Sequence, residues 1–336
     1  MSARRENEGE EGKKEKDKKA ITNAIGPFWD ANEVWLIASG GVLFFAFPTL
    51  YASSFSGFYL PLIMILWLLI FRAIGLELRG QIHNKLWEAV WDKAFGVASF
   101  LLALFFGIAM GNVVRGVNLG MVENGISAHE AHYFFLPLWN PSFSPTAAHL
   151  GIIDWFTILL GLVAVVILTI HGANWIIYKT NSDLNNKLRT VIFKLNFVLL
   201  ALVILSLVVW HVIAPRPFHN FIETPWLWIF PLLTLIGLFG LFLIKTFKKE
   251  GAGFIFSSLF ILGGFASTAA SIFPKLLPST NTVNPALTIY NVAADEYGLS
   301  VGIYWFIIAL ILLIVYIFIQ YRVFKGKMDD IGYGEH

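Results

Sequence analysis

Cysteine is absent from the 336 residues, which excludes a disulfide framework, thiolate metal sites and cysteine-bound iron–sulfur clusters. Charge is scarce, with Asp, Glu, Lys and Arg together at 14%. There is no Walker A loop, no GxGxxG after a strand, no Gly-x-Ser-x-Gly elbow and no basic groove for nucleic acid. The first 19 residues are almost wholly polar, so no cleavable leader is expected. What fills the chain instead is apolar: 57% hydrophobic residues, including 31 Phe and 12 Trp, with a mean hydropathy of +0.69. A soluble domain cannot hide that much apolar surface, and an all-α integral membrane protein follows. Many of the tryptophans lie near the ends of apolar runs, as in an interfacial aromatic belt.

Met1 to Lys19 carries seven basic and six acidic residues and no apolar run. Residues 1–20 therefore read as a disordered, charged cytoplasmic tail, and 21–336 as a polytopic membrane domain. Eight transmembrane helices are predicted, near 33–52, 55–79, 92–114, 150–178, 191–213, 226–247, 252–273 and 299–323. Each approaches the ~20 residues needed to cross hydrocarbon. With the tail inside, 20 Lys and Arg fall in inside segments and only Arg115, Arg216 and Lys275 in outside ones, Arg72 lying within a span. That asymmetry places both termini in the cytoplasm. The longest connection, Arg115 to His149, is outside and too long for a bare turn, so it is expected to cap the protein or touch a partner.

The first hairpin concentrates the ionisable residues. At its entry stand Asp30, Asn32 and Glu33 in PFWDANEVW; at its exit stand Arg72, Glu77 and Arg79, with Asp92 opening the next span. Charge at spanning depth costs roughly 2.5–3.5 kcal/mol per group on insertion scales, so such groups pair, face a cavity or conduct. Two readings of Asp30 stand side by side. It caps the helix that follows Pro27, or it is a carboxylate at which protons enter. Three polar residues within four positions exceed what one cap needs. Arg72 lies about 10 Å deeper than Arg79 along a helix, and Asp92 and Glu77 are its candidate partners. An ion pair of purely structural value and a snorkelling arginine are the plainer alternatives. His171 falls near the inner side and His211 near the outer, badly placed to share one haem. His129 and His132 form HEAH, not HExxH. These histidines read as polar contacts, and no metal site is expected.

The run GPFWDANEVWLIASGGVLFFAFPTLYASSFSGFYLPLI resembles subunit II of cytochrome bd-type quinol oxidases. So do FRAIGLELR, WEAVWD, AMGNVVRGV, LTIHGANW, ETPWLWIFPLLTL, GAGFIFSSL and FPKLLPSTNTVNPALTIYNV, and the similarity extends from about Ile21 to the C-terminus. The resemblance implies two four-helix-bundle-like halves plus a peripheral helix, in a bacterial inner-membrane complex that oxidises quinol and reduces dioxygen to water. Its larger partner, subunit I, would hold haem b and haem d, and this chain would pack on it and aid haem incorporation. Small accessory subunits, membrane lipid and a bound quinone or lipid belong to the same expectation. Carried over by motif, Asp30 would be the proton-entry carboxylate, with Trp29, Asn32 and Glu33 beside it and Trp35 near a dioxygen route. Arg72, Glu77 and Asp92 would form the buried polar cluster, Glu77 standing where the family often has Asp. No catalytic residue of its own is implied. The family has nine spans; the first, which carries a Gly-x-Asp segment, reads as absent here.

A proton-coupled secondary transporter using Asp30 and Arg72 is the alternative. Transporters place broken helices and charges at the midplane, whereas here they gather at one lip.

Overall fold

The computed structural model describes residues 2–82, 84–181, 183–213, 218–244 and 249–328. Arg216, Lys245 and Lys248, which count toward sidedness, and the far end of the span expected at 226–247 lie outside the described residues. The helices are α1 (Ser2–Ala46), α2 (Pro48–Gly57), α3 (Tyr59–Leu78), α4 (Lys85–Arg115), α5 (Trp155–Lys179), α6 (Leu184–Ile213), α7 (His219–Glu223), α8 (Ile229–Leu243), α9 (Ala252–Ile272) and α10 (Glu296–Val323). Among the described residues, seven helices are long and apolar enough to cross a membrane: α3, α4, α5, α6, α8 with its 3-10 lead-in from Pro225, α9 and α10.

The span expected at 33–52 is helical but broken between α1 and α2. Phe47 leaves the helical region at φ −137°, ψ 62°, because a residue preceding proline is pushed out of it. Neither piece alone carries a full-length apolar window, so seven helices qualify where eight were expected. The first 20 residues also depart from expectation. They continue into α1 as helix, where a local Glu15–Lys18 pair at 3.6 Å and contacts to distant helices give polar residues something to hold.

Local chemistry sets the helix ends. Asn84 caps α4 through the Leu86 and Trp87 amides, and Asp154 caps α5 in a reciprocal box with Thr157. Gly116, at φ +89°, ends α4, a conformation that glycine adopts without strain.

Two cores result. One joins Leu50 of α2 and Phe105 and Ile108 of α4 to Phe134, Leu136, Ile152, Leu277 and Leu287 of the long connections. The expected cap is therefore real: the loop after α4 and the loop after α9 knit together through Asn281 and Asn284, which donate to the Leu119 carbonyl, each at 2.9 Å. The second core packs Ile170 and Ile177 of α5 against Leu199 of α6, Leu238 and Leu241 of α8 and Phe260 of α9. The bundle thus has a loop-rich end, which carries these connections, and a charged end, where α3 passes to α4 and α5 to α6. α10 is peripheral, with no buried residue.

Helices α4 and α5 bind the two halves. A Cβ on Gly107 would lie 2.6 Å from the Gly161 Cα and 2.6 Å from the Leu160 carbonyl oxygen, so the backbones touch. Close approach of small residues is how helices associate where lipid removes the hydrophobic drive. Gly107→Val is expected to destabilise the chain by about 1–3 kcal/mol through forced separation, read as a lower midpoint of thermal aggregation in detergent. An unchanged midpoint would count against the contact.

Candidate functional site

Asp30 does not begin a helix. α1 runs unbroken through Pro27, Asp30 and Glu33, so the capping reading is overturned. The chain continues as helix here because the polar residues before Pro27 have partners at the charged end. Asp30 and Asn32 are exposed, Trp29 and Glu33 half-buried, and Trp35 is 42% exposed. Asp30 forms no hydrogen bond or ion pair among the described residues.

Its depth follows from α10, which runs antiparallel to α1. Ala294 donates to the Ala46 carbonyl near the loop-rich end, and Gln320 donates through Nε2 to the Pro27 carbonyl, 2.7 Å away, at the charged end. The apolar run of α10 stops at Ile319. Asp30 is three residues, about 4.5 Å, beyond Pro27, and so lies level with the last apolar turn of α10.

Glu33, one turn further on, accepts a hydrogen bond from Arg72 Nη1 of α3 at 2.6 Å. The Arg72 guanidinium also lies over the Phe95 ring, 5.9 Å from its centre. The pairing of Arg72 with Asp92 or Glu77 is thus corrected. The register of the α3–α4 hairpin brings Phe95 beside Arg72; Gly75 lets the two helices close there, its absent Cβ leaving 3.1 Å to the Phe95 Cβ. Asp92 falls one turn nearer the charged end, where Arg79 Nε donates to its Oδ1 at 2.7 Å. Glu77 is exposed in the last turn of α3.

Asp92 belongs to a ring of alternating charge. Its Oδ2 lies 2.7 Å from Lys18 Nζ, Lys18 faces Glu15, and Glu15 accepts from Arg79. On another side of α1, Asp17 holds Lys187 of α6 at 2.8 Å. The hydrogen bond to Asp92 raises the Lys18 pKa from its usual 10.5, against an opposing effect of burial. A raised amine contributes stability below its unfolded pKa and loses it only as pH rises through the folded value. Lys18 therefore keeps its charge across neutral pH, and salt is what weakens its pair with Asp92.

Around Pro27 the charged end is tied by aromatics. Phe28 packs edge-on to Trp175 at 5.0 Å and tilted on Tyr321 at 5.2 Å. Lys179 Nζ lies 5.1 Å from the Phe28 ring centre and donates to the Phe324 carbonyl at 2.8 Å.

One charged pair is not evident from the sequence pattern. Arg115, counted there as an outside loop charge, is 7% exposed and donates to Asp154, the Gly151 carbonyl and Asn112 Oδ1. Its signal lies in Asn112 and Arg115 three apart at the end of one apolar run, and in Asp-x-x-Thr opening the next. The histidines do not converge. His171 Nδ1 bonds Ser257 Oγ at 2.8 Å and its ring stacks on Phe254 at 4.6 Å. His211, beside Phe218, lies at the other end of antiparallel α6, about 28 Å away along the bundle axis. Among the described residues no group of three or more His, Asp or Glu could hold a metal, and His171 and His211 lie too far apart to share one haem.

These features define a polytopic helical membrane protein with a ring of ionisable side chains at one end of the bundle and an enclosed Arg115–Asp154 pair at the other. The family model for cytochrome bd terminal oxidase subunit II matches residues 9–324, and the chain belongs to that family; it is a transmembrane subunit of an oxidoreductase complex. It is 30% identical to the probable cytochrome oxidase subunit 2 of Haemophilus influenzae, over 95% of this chain and 86% of that one. It is 28% identical to the cytochrome bd-I ubiquinol oxidase subunit 2 of Escherichia coli K12, covering 97% and 89%, and 28% identical to the cytochrome bd ubiquinol oxidase subunit 2 of Bacillus subtilis, covering 86% and 79%.

Asp154→Ala would leave Arg115 buried without its counter-charge, a change that costs about 3–5 kcal/mol. The expected outcome is a large fall in recovered folded protein and in thermal midpoint; wild-type values for both would refute the role of the pair.

Proposed function

We propose that this chain acts as the second subunit of a complex that oxidises quinol and reduces dioxygen to water. It packs against a larger subunit I that carries haem b and haem d, aids haem incorporation, and supplies the route by which protons enter. Relatives named as ubiquinol oxidase subunits support the quinol. The complex sits in the bacterial inner membrane with the charged end and both termini in the cytoplasm, supported by the lysine and arginine asymmetry. Small accessory subunits and a bound quinone or lipid fit the apolar faces that α6, α8 and α10 leave exposed.

In this reading Asp30 takes a proton from cytoplasmic water, and Trp29 and Asn32 line the approach. Glu33 is the next carboxylate inward, held by Arg72 so that it cannot swing back toward Asp30. Trp35, on the exposed side of the same helix, borders the dioxygen route. Arg72, Glu77, Arg79 and Asp92 keep the walls of the entry in place. One observation carries the proposal. Among the described residues Asp30 forms no hydrogen bond or ion pair, and it lies at the depth of the last apolar turn of α10, beside an acid that is already paired. A free carboxylate there is costly unless it works.

Asp30→Asn in the assembled complex is expected to lower quinol-driven oxygen consumption at least about tenfold, since a positioned proton-transfer group is commonly worth more than that. Haem content measured by absorbance should stay at the wild-type level. Full turnover with full haem content would end the proton-entry reading.

A further inference from the structure

α1 is weakened just before Asp30. Pro27 lies inside the helix and has no amide hydrogen, so the Asn23 carbonyl loses its helical donor and the proline ring crowds that turn. A rod with such a joint does not by itself aim a side chain one turn beyond it. Two side chains from other helices meet the chain on either side of the joint. Gln320 of α10 donates Nε2–H to the Pro27 carbonyl at 2.7 Å, and Trp175 of α5 donates Nε1–H to the Ala24 carbonyl at 2.9 Å. Ala24 is fully buried and Phe28 is 4% exposed, and both bonds are partly shielded from water. Trp175 is itself held by Phe28 at 5.0 Å and Phe254 at 5.1 Å. Gln320 is the first residue after the apolar run of a helix with no buried residue. A glutamine there costs insertion energy without a core to join, and its side-chain amide donates to the joint.

We propose that Gln320 and Trp175 are positioning residues for Asp30: their two hydrogen bonds brace the proline joint of α1 and set the direction in which the carboxylate faces the water. The inference rests on the reading of Asp30 as the proton-entry group. Neither residue touches a proton in transit; each acts through the backbone three to six residues away.

The test uses the assembled complex, with quinol-driven oxygen consumption, haem content and the ratio of turnover in H2O to that in D2O as readouts. Gln320→Leu keeps bulk and removes the donor. It is expected to cut turnover about tenfold, the order of loss that a small misplacement of a reacting group produces, and to raise the isotope ratio at unchanged haem content. Pro27→Ala restores the missing helical hydrogen bond and makes the brace redundant, so Pro27→Ala with Gln320→Leu should recover turnover, while Pro27→Ala alone stays near wild type. Trp175→Phe, which keeps a ring between Phe28 and Phe254 but loses the N–H, should repeat the pattern if Gln320→Leu assembles poorly. The proposal falls if both single variants keep wild-type turnover, if turnover falls only in step with haem content, or if Pro27→Ala fails to rescue. Asp30→Asn, measured alongside, separates the two layers. An active Asp30→Asn complex removes the underlying reading and the proposal with it; an inactive one beside fully active Gln320→Leu and Trp175→Phe complexes removes the proposal alone.

Discussion

A charged group in hydrocarbon must be accompanied, and that requirement arranges the chain. Arg115 meets Asp154 where α4 hands over to α5. Arg72 meets Glu33 between the first and third helices. Lys179 turns its ammonium to aromatic faces and to a carbonyl left over at the end of α10. Each meeting joins segments far apart in sequence, so the charges act less as isolated contacts than as rivets between helices that lipid alone would not hold together. Asp30 forms no hydrogen bond or ion pair among the described residues and stands apart from these rivets.

The rivets differ with their surroundings. Arg115 and Asp154 are enclosed, and Asp154 also caps α5, so three functions meet in one carboxylate: counter-charge, helix start and register between the halves. Glu15, Lys18, Arg79 and Asp92 form a ring open to water, where each pair alone is worth little but the closed arrangement fixes α1 against the α3–α4 hairpin. Asp17 reaches α6 from the same turn of α1. One helix is therefore gripped by both halves of the bundle at the end where protons would enter.

Much of this was legible in the residues, because hydrocarbon imposes length and composition on anything that crosses it. Most of the spans, and a long loop after α4 that packs on the helices, follow from local rules. Partners did not. Topology offers Asp92 and Glu77 as partners of Arg72, yet the choice of Glu33 depends on how far α3 slides along α4, which Gly75 and Phe95 decide only once packed. Of the two readings that the sequence allows for Asp30, the cap rests on proline commonly opening a helix. The helix began far earlier, since residues 15–18 find partners at Arg79, Asp92 and Lys187 that no local pattern announces. Composition made that segment look structureless for the same reason.

The bare flanks of α10 carry a consequence for how this chain can change over generations. A helix with no buried residue places few demands on the identity of its side chains beyond their being apolar. The exceptions are Gly302, where any Cβ would strike Phe45, and Gln320 and Tyr321 near the other end. Mutational drift along the rest of the helix should be nearly unrestrained by this polypeptide, so any position there that resists drift would be answering to a neighbour outside it.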